Sequence, residues 1–173
     1  MIIDFHTHIF PDEIALKTIP ALEKVSGIKA ATDGTLTGLL QSMEQTGVDI
    51  GLPQPVHCPP EKMRRVLDKI KPEKMVLAHC GGWKQWEEVY NCLAGENVYL
   101  DTAFTFDYME TETFIRLLSK HDNKKILFAT DSPWGHPTRE IQALKCMGLG
   151  QTVLEDILSN NAVRLLGGDV RRY

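Results

Sequence analysis

The sequence predicts an α/β fold built on parallel strands, because short runs of strand-forming residues alternate with segments of helical periodicity. Two of the runs, KMVLA and KILFA, are nearly continuous in apolar residues, which is typical of parallel strands covered on both faces. The chain has 173 residues, enough for one sizeable core, so we expect one domain over residues 1–173. The predicted strands are residues 1–9, 48–52, 74–79, 98–103 and 125–130.

The segments between the strands carry apolar residues at helical spacing. Residues 11–13, Pro-Asp-Glu, form a signature of a helix N-terminus. The apolar residues of this first helix are Ile14, Leu16, Ile19 and Leu22. In the second helix, residues at positions i, i+3, i+4 and i+7 form one apolar face, which consists of Leu36, Leu39, Leu40 and Met43. Similar patterns follow the later strands, so each strand is expected to lead into a helix.

Composition and charge exclude several classes of function. The formal net charge of -4 argues against nucleic-acid binding, and no apolar run approaches the roughly 20 residues that span a bilayer. We therefore expect a small-molecule substrate, with neither a nucleic acid nor a membrane as partner. The four cysteines are widely spaced and lack a C-x-x-C pair, which is typical of reduced thiols in a cytoplasmic protein.

Three predicted strands end on residues that can do chemistry. The first ends with His6 and His8, the 74–79 strand ends with His79, and the 125–130 strand is followed by Asp131. Side chains two apart in a strand leave the same face, and the carboxyl ends of parallel strands lie on one rim. These residues are therefore expected to lie together.

Imidazole and carboxylate groups converging on one point are typical ligands of a metal ion that activates water. Asp131 could be both a ligand and a proton acceptor, and His79 could be a further ligand or an acid/base group. Each residue also has a structural interpretation. Asp131 precedes Ser132-Pro133 and could start a turn, and His79 could be a hydrogen-bonded core histidine.

Four segments in this order resemble the amidohydrolase superfamily, specifically the amidohydrolase-2 branch of metal-dependent TIM-barrel hydrolases, which also contains decarboxylases such as aminocarboxymuconate-semialdehyde decarboxylase. The likeness extends over nearly the whole chain. The matching segments are Asp4–His8 (DFHTH), Leu77–Gly82 (LAHCGG), Thr130–Trp134 (TDSPW) and the terminal Asn160–Leu166 (NNAVRLL).

The resemblance implies a (β/α)-barrel of TIM type and a divalent metal ion, either zinc or else manganese or iron. By that likeness His6, His8 and Asp131 are metal ligands, and His79 is an acid/base residue or a further ligand. In the loop that follows, Trp134 and His136 are the expected substrate contacts. The implied reaction is hydrolysis of an amide, ester or lactone. The branch also makes nonoxidative decarboxylation of a small unsaturated or aromatic acid an alternative.

The chain also departs from the family pattern. A complete barrel takes about 250 residues, whereas this chain has five predicted strands, so we expect a barrel shortened to about five parallel strands. The family has a metal-binding histidine at the end of its fifth strand, just before a Gly-Val-Asp-Ile-Gly loop. Here Gly47–Gly51 follows Gln45 and Thr46 on a predicted helix, as if an internal segment were deleted.

Two expectations follow from the deletion. Metal affinity should be reduced unless His79, water or a partner chain replaces the missing ligand. The sheet should stay open, with the 74–79 strand at an apolar edge that favours pairing with a second copy, so we expect a homo-oligomer. A non-catalytic shortened family member is therefore a further alternative, and a TatD-type nuclease is disfavoured by the acidic charge balance.

Overall fold

The computed structural model describes residues 1–53, 60–72 and 74–168, and in these ranges strands and helices alternate along the chain. The strands are β1 (Ile3–Thr7), β2 (Ile50–Pro53), β3 (Val76–Leu77), β4 (Tyr99–Asp101) and β5 (Ile126–Leu127). The helices are α1 (Asp12–Ser26), α2 (Leu36–Thr46), α3 (Pro60–Ile70), α4 (Trp86–Cys92), α5 (Thr111–Lys120), α6 (Pro137–Cys146), α7 (Gln151–Glu155) and α8 (Asn161–Leu166). A π-helical turn over Asp156–Asn160 joins the last two.

All the strand pairs are parallel, and they form two small sheets. One sheet has the order β1-β2, and the other has the order β3-β4-β5. Between them, an isolated parallel bridge joins Thr7 to Ser132, and the backbone N–H of Phe5 donates to the carbonyl of Phe128 at 2.8 Å. The α/β class is thus confirmed. The prediction of one shortened barrel of about five strands is not, since β3 and β5 are two residues long and the ladder between β5 and β1 is interrupted.

Both faces of the sheets are covered by apolar side chains. Ile126 and Phe128 belong to a large core cluster with residues of α4, α5 and α6. Leu127 and Ala129, which point the other way, belong to a second cluster with Ile3, Phe5 and residues of α8. This alternation explains why the KILFA run is apolar at every position after its lysine.

The apolar faces predicted for α1 and α2 are only partly buried. Ile19 and Leu39 are in the core, but Leu16 is 77% exposed and Leu40 is 53% exposed. Periodicity places these residues on one side of each helix, but it cannot supply a neighbour for that side. The described part of the chain leaves much of this apolar surface uncovered.

We propose that the chain self-associates through this surface and through the edge of β3. Within the described ranges, β3 pairs with β4 alone, and uncovered apolar helix faces of this kind mark protein contacts. Light scattering at micromolar concentration should give at least twice the 19.5 kDa mass of one chain. A constant mass of 19.5 kDa over that concentration range would contradict the proposal.

Three of the four cysteines, Cys80, Cys92 and Cys146, are free thiols, and Cys58 lies outside the described residues. No helix within the described ranges combines the length and the apolar character needed to cross a bilayer.

Glu140 on α6 is a buried acid that should make stability depend on pH. Its side chain is 2% exposed, and its Oε2 has no hydrogen-bond partner among the described residues. Burial raises the pKa of Glu140 to about 8, against an ordinary value of 4.5. Between these two values the folded chain keeps a proton that the unfolded chain has lost, so the free energy of unfolding should fall as pH rises.

The Glu140→Gln variant removes this titration while keeping the shape of the side chain. Relative to the parent, it should be more stable at pH 8.5 by on the order of 4 kcal/mol and nearly equal at pH 4.5. Urea unfolding at the two pH values measures the difference. Glu112→Gln, at an exposed position of α5, is the matched control and should leave the pH dependence unchanged. An equal effect of both variants would show that burial of Glu140 is not the cause.

Candidate metal centre

His6 and His8 leave the same side of β1 and its C-terminal end, as their spacing predicts. His6 is buried on the strand, and His8, immediately after it, is half-buried. Their Nε2 atoms are 3.1 Å apart. The two imidazoles therefore point their outer nitrogens at a common position.

Asp131 brings a carboxylate to the same position from the turn that follows β5. Its backbone N–H donates to the carbonyl of His6 at 2.6 Å, which ties this turn to β1. Its φ of 64° is in the left-handed region, where aspartate is better tolerated than most residues. The carboxylate Oδ1 lies 2.8 Å from His8 Nε2 and 3.3 Å from His6 Nε2. The structure thus brings these three sequence-predicted residues together.

The three donor atoms have the spacing of ligands around one cation. They all lie within 4.8 Å of one another, and no other His, Cys, Asp or Glu in the described ranges joins the group. Metal–ligand bonds of about 2.0–2.1 Å at tetrahedral angles give ligand separations of about 3.3 Å, close to the distances found. Asp131 Oδ1 is buried, yet it accepts no well-formed hydrogen bond from the described residues. The donor set therefore fits a divalent metal ion.

Asp101, at the end of β4, orients His6 as a ligand, a role that the sequence did not predict. Its Oδ2 lies 3.0 Å from His6 Nδ1. A carboxylate can only accept, so Nδ1 carries the proton and Nε2 presents its lone pair to the cluster. Burial lowers the pKa of His6, but the hydrogen bond and charge of Asp101, with the charges of Asp131 and Asp4, outweigh burial and raise it. The feature that could have indicated this role of Asp101 is that β4 ends on the same rim as the other strands.

Asp101→Asn should weaken metal binding by about 10- to 100-fold, because the amide can no longer enforce the tautomer of His6. Calorimetric titration with zinc or manganese measures the affinity. Asp107→Asn is a suitable control, because Asp107 pairs with Arg139 and is not among the described residues that line the cavity at this site. Equal affinities in both variants would contradict the assigned role of Asp101.

Asp4 anchors the turn that carries Asp131. Its Oδ1 accepts from the backbone N–H of Thr130 at 2.7 Å, and its Oδ2 accepts from the Thr130 hydroxyl. Burial raises the pKa of Asp4 to about 7. In the sequence, Asp4 is recognisable as part of the DFHTH segment, but the pattern indicates no role for it.

His79 lies beside the cluster but is not one of its three members. Its backbone N–H donates to Asp101 Oδ1 at 2.9 Å, and its Nδ1 donates to the carbonyl of Ala103 at 2.9 Å. The rings of His79 and His6 have centroids 5.2 Å apart. Because a carbonyl only accepts, the neutral ring carries its lone pair on Nε2. The expected acid/base role and the alternative of a further ligand both stay predictions.

A cavity of about 720 Å³ opens onto the cluster. His6, His8, His79, Asp131 and Trp134 are among the residues that line it. His136, the other expected substrate contact, is exposed at the start of α6 and is not among the described lining residues. Its expected contact with substrate therefore has no support from this geometry.

Left-handed backbone conformations gather around this cavity. Besides Asp131, they occur at His79 with φ 56°, Cys80 with φ 52° and Phe104 with φ 47°. Such conformations cost of order 1–3 kcal/mol each in a non-glycine residue and cluster at functional sites. The surrounding hydrogen bonds hold His79 and Asp131 in place against that cost.

Comparison with known proteins gives a family and a fold. The amidohydrolase family model matches residues 39–168, three quarters of the chain. No curated protein matches this sequence significantly. Among solved structures, a candidate 2-pyrone-4,6-dicarboxylic acid hydrolase from Pseudomonas putida aligns over 98% of this chain and 98% of its own, with a TM-score of 0.67 and 12% identity.

Two decarboxylases align less well. The 5-carboxyvanillate decarboxylase from Sphingomonas paucimobilis aligns over 58% of this chain and 35% of its own, with a TM-score of 0.45 and 14% identity. A dihydroxybenzoic acid decarboxylase from a Polaromonas species, solved with bound manganese, aligns over 76% of this chain and 53% of its own, with a TM-score of 0.47 and 16% identity. The chain thus spans about a third to a half of the length of these two enzymes.

The P. putida structure shows a shared fold and, at 12% identity, nothing finer. The family match begins within α2 and covers all later described elements, including the turn of Asp131, while His6 and His8 lie before it. Because the family match covers three quarters of the chain, the chain belongs to the amidohydrolase family.

Proposed function

We propose that this chain is a metal-dependent hydrolase that acts on an amide, ester or lactone of a small molecule. The observation that carries the proposal is the convergence of three donor atoms from His6, His8 and Asp131 within 4.8 Å, at the end of a cavity. These three residues would hold a divalent cation. Such an ion supplies Lewis acidity, polarising a carbonyl oxygen and lowering the pKa of a water molecule to roughly 7.

Residues of this chain would orient the ligands and move the protons of the reaction. Asp101 keeps the Nε2 lone pair of His6 directed at the cluster, as described above. Asp131 could accept a proton from the attacking water, because its carboxylate lies within hydrogen-bond reach of any group held between the histidines. His79 lines the same cavity, so its ring can polarise the substrate or deliver a proton to the leaving group.

Nonoxidative decarboxylation is the second candidate, and the position of His79 favours it. Its ring lies beside His6 on the cavity wall, where it can protonate the carbon from which carbon dioxide leaves. In this reaction the metal site would orient the substrate rather than activate water.

The ligand set is one imidazole short of the family pattern. Gln45 and Thr46, which precede the Gly47–Gly51 segment, lie on α2, and among the described residues the cluster has three members. We infer that the chain binds zinc, manganese or iron more weakly than a family member that has the fifth-strand histidine. If the chain binds no metal even in excess zinc, it is a non-catalytic member of the family.

The test is turnover by the metal-loaded chain. Esters, lactones and amides should be screened for acid release, and aromatic and unsaturated acids for carbon dioxide release, each with zinc and with manganese. Acid release without carbon dioxide supports the hydrolase, and carbon dioxide release from an acid replaces it with the decarboxylase. A chain that binds metal and turns over neither set overturns both proposals.

A further inference from the structure

Among the described residues that line the cavity at the metal centre, the ionisable ones lie at one end. Around the cluster it is lined by imidazoles and by the carboxylates of Asp101 and Asp131. The rest of its lining comes mainly from apolar side chains. Phe10, Leu22 and Ile28 come from α1 and its flanking segments, and Trp83, Phe104 and Trp134 come from the turns after β3, β4 and β5.

Among the described residues that line the cavity, none is a lysine or an arginine. The neutral polar side chains there are Ser26 and Gln85. The lysine next to this wall, Lys84, is outside the lining, and its Nζ lies 4.5 Å from the Trp83 ring centroid and 4.7 Å from that of Tyr108. Its charge is thus held against aromatic faces.

The aromatic part of the wall is packed. Phe104 is buried, and its ring centroid is 5.0 Å from Tyr108 and 6.3 Å from Trp83. Phe104 has a left-handed backbone conformation, with φ 47°. Glycine and asparagine adopt this conformation more readily than a large apolar residue does. This part of the cavity surface is therefore held in position by its neighbours.

From this lining we infer that the substrate carries a single reactive or anionic group, placed at the metal centre, on an uncharged and largely apolar body. The inference rests on the proposed function and adds the substrate class to it. A second carboxylate on the body would lose its water without meeting a cation, and such a loss is costly. An apolar body instead gains from burial, by about fourfold in affinity for each methylene that leaves water.

A pair of acids of nearly equal shape tests the inference on the zinc-loaded full chain. 4-Isopropylbenzoate and benzene-1,4-dicarboxylate differ in one group, apolar in the first and anionic in the second. Titration calorimetry should show the isopropyl compound binding at least about tenfold more tightly. Equal affinities, or tighter binding of the dicarboxylate, would overturn the inference and leave the proposed function standing. If neither acid binds to the zinc-loaded chain, the inference fails, while the turnover screen described under the proposed function decides that function separately.

A charge placed on the apolar wall supplies a second arm of the experiment. Leu22 lines the cavity and is 40% exposed, so Leu22→Arg can be accommodated and should raise the affinity for the dicarboxylate relative to the isopropyl compound by about tenfold. Ile115→Arg is the matched control, because Ile115 on α5 is also 40% exposed and is outside the described lining, and it should leave the ratio unchanged. An unchanged ratio in Leu22→Arg, or the same change in both variants, would overturn the inference.

Discussion

Replacing His6 and His8 together with alanine should abolish metal binding, from about one ion per chain to none, with a loss of affinity of roughly a thousandfold or more. Two of the three donor atoms in the cluster disappear, and the carboxylate of Asp131 alone cannot hold a divalent ion in competition with water. Any metal-dependent turnover should fall with it. Elemental analysis and calorimetric titration with zinc and manganese measure the effect.

The control for metal stoichiometry is His136→Ala, which removes an exposed imidazole outside the described cavity lining. It should retain the stoichiometry of the parent. Because His6 is buried, circular dichroism is needed to show that the double variant still folds. A folded double variant that still carries one ion per chain would place the metal elsewhere and remove the basis of the proposed function.

Gly135→Ala should destabilise the chain by on the order of 4 kcal/mol, because the added methyl group collides with backbone rather than with a movable side chain. A Cβ at position 135 would lie 1.7 Å from the carbonyl oxygen of Thr130 and 2.9 Å from its carbonyl carbon. Thr130 and Asp131 would have to shift, so the metal site should be lost together with stability. Urea unfolding and zinc titration of the same preparation would test both effects.

Gly150→Ala is the matched control, because a Cβ there meets nothing within 4 Å and the residue has an ordinary negative φ of -58°. It should change the free energy of unfolding by less than about 1 kcal/mol. If Gly135→Ala were as stable as Gly150→Ala, the tight approach between residues 130 and 135 would not exist in solution.

The cluster itself was predictable because it depends on local rules. Alternation along β1 places His6 and His8 on one side, and parallel strands bring their carboxyl ends to one rim, which adds Asp131. The resemblance of the DFHTH and TDSPW segments to the family pointed to the same residues.

Asp101 was missed because its role depends on a partner 95 residues away. In the sequence it is one acid at the end of an apolar run, which equally fits a solvated strand end. Only the pairing of β4 with β5, together with the contact between β1 and the segment after β5, brings its carboxylate to the Nδ1 of His6 and decides which ring nitrogen holds the proton. A tautomer is set by a neighbour in space, so no spacing rule reports it.

The uncovered faces of α1 and α2 show the same difference between what a local pattern predicts and what tertiary contacts decide. Periodicity determined that Leu16 and Leu40 belong to apolar faces, but burial needs a surface to pack against, and the described part of the chain provides little at these positions. The sequence alone thus determined the α/β class, the approximate positions of the strands and the histidine–aspartate cluster, because these follow from contacts among near neighbours and from strand direction. The tertiary structure decided the division into two sheets, the role of Asp101 and the apolar cavity wall, because each depends on which distant segments meet.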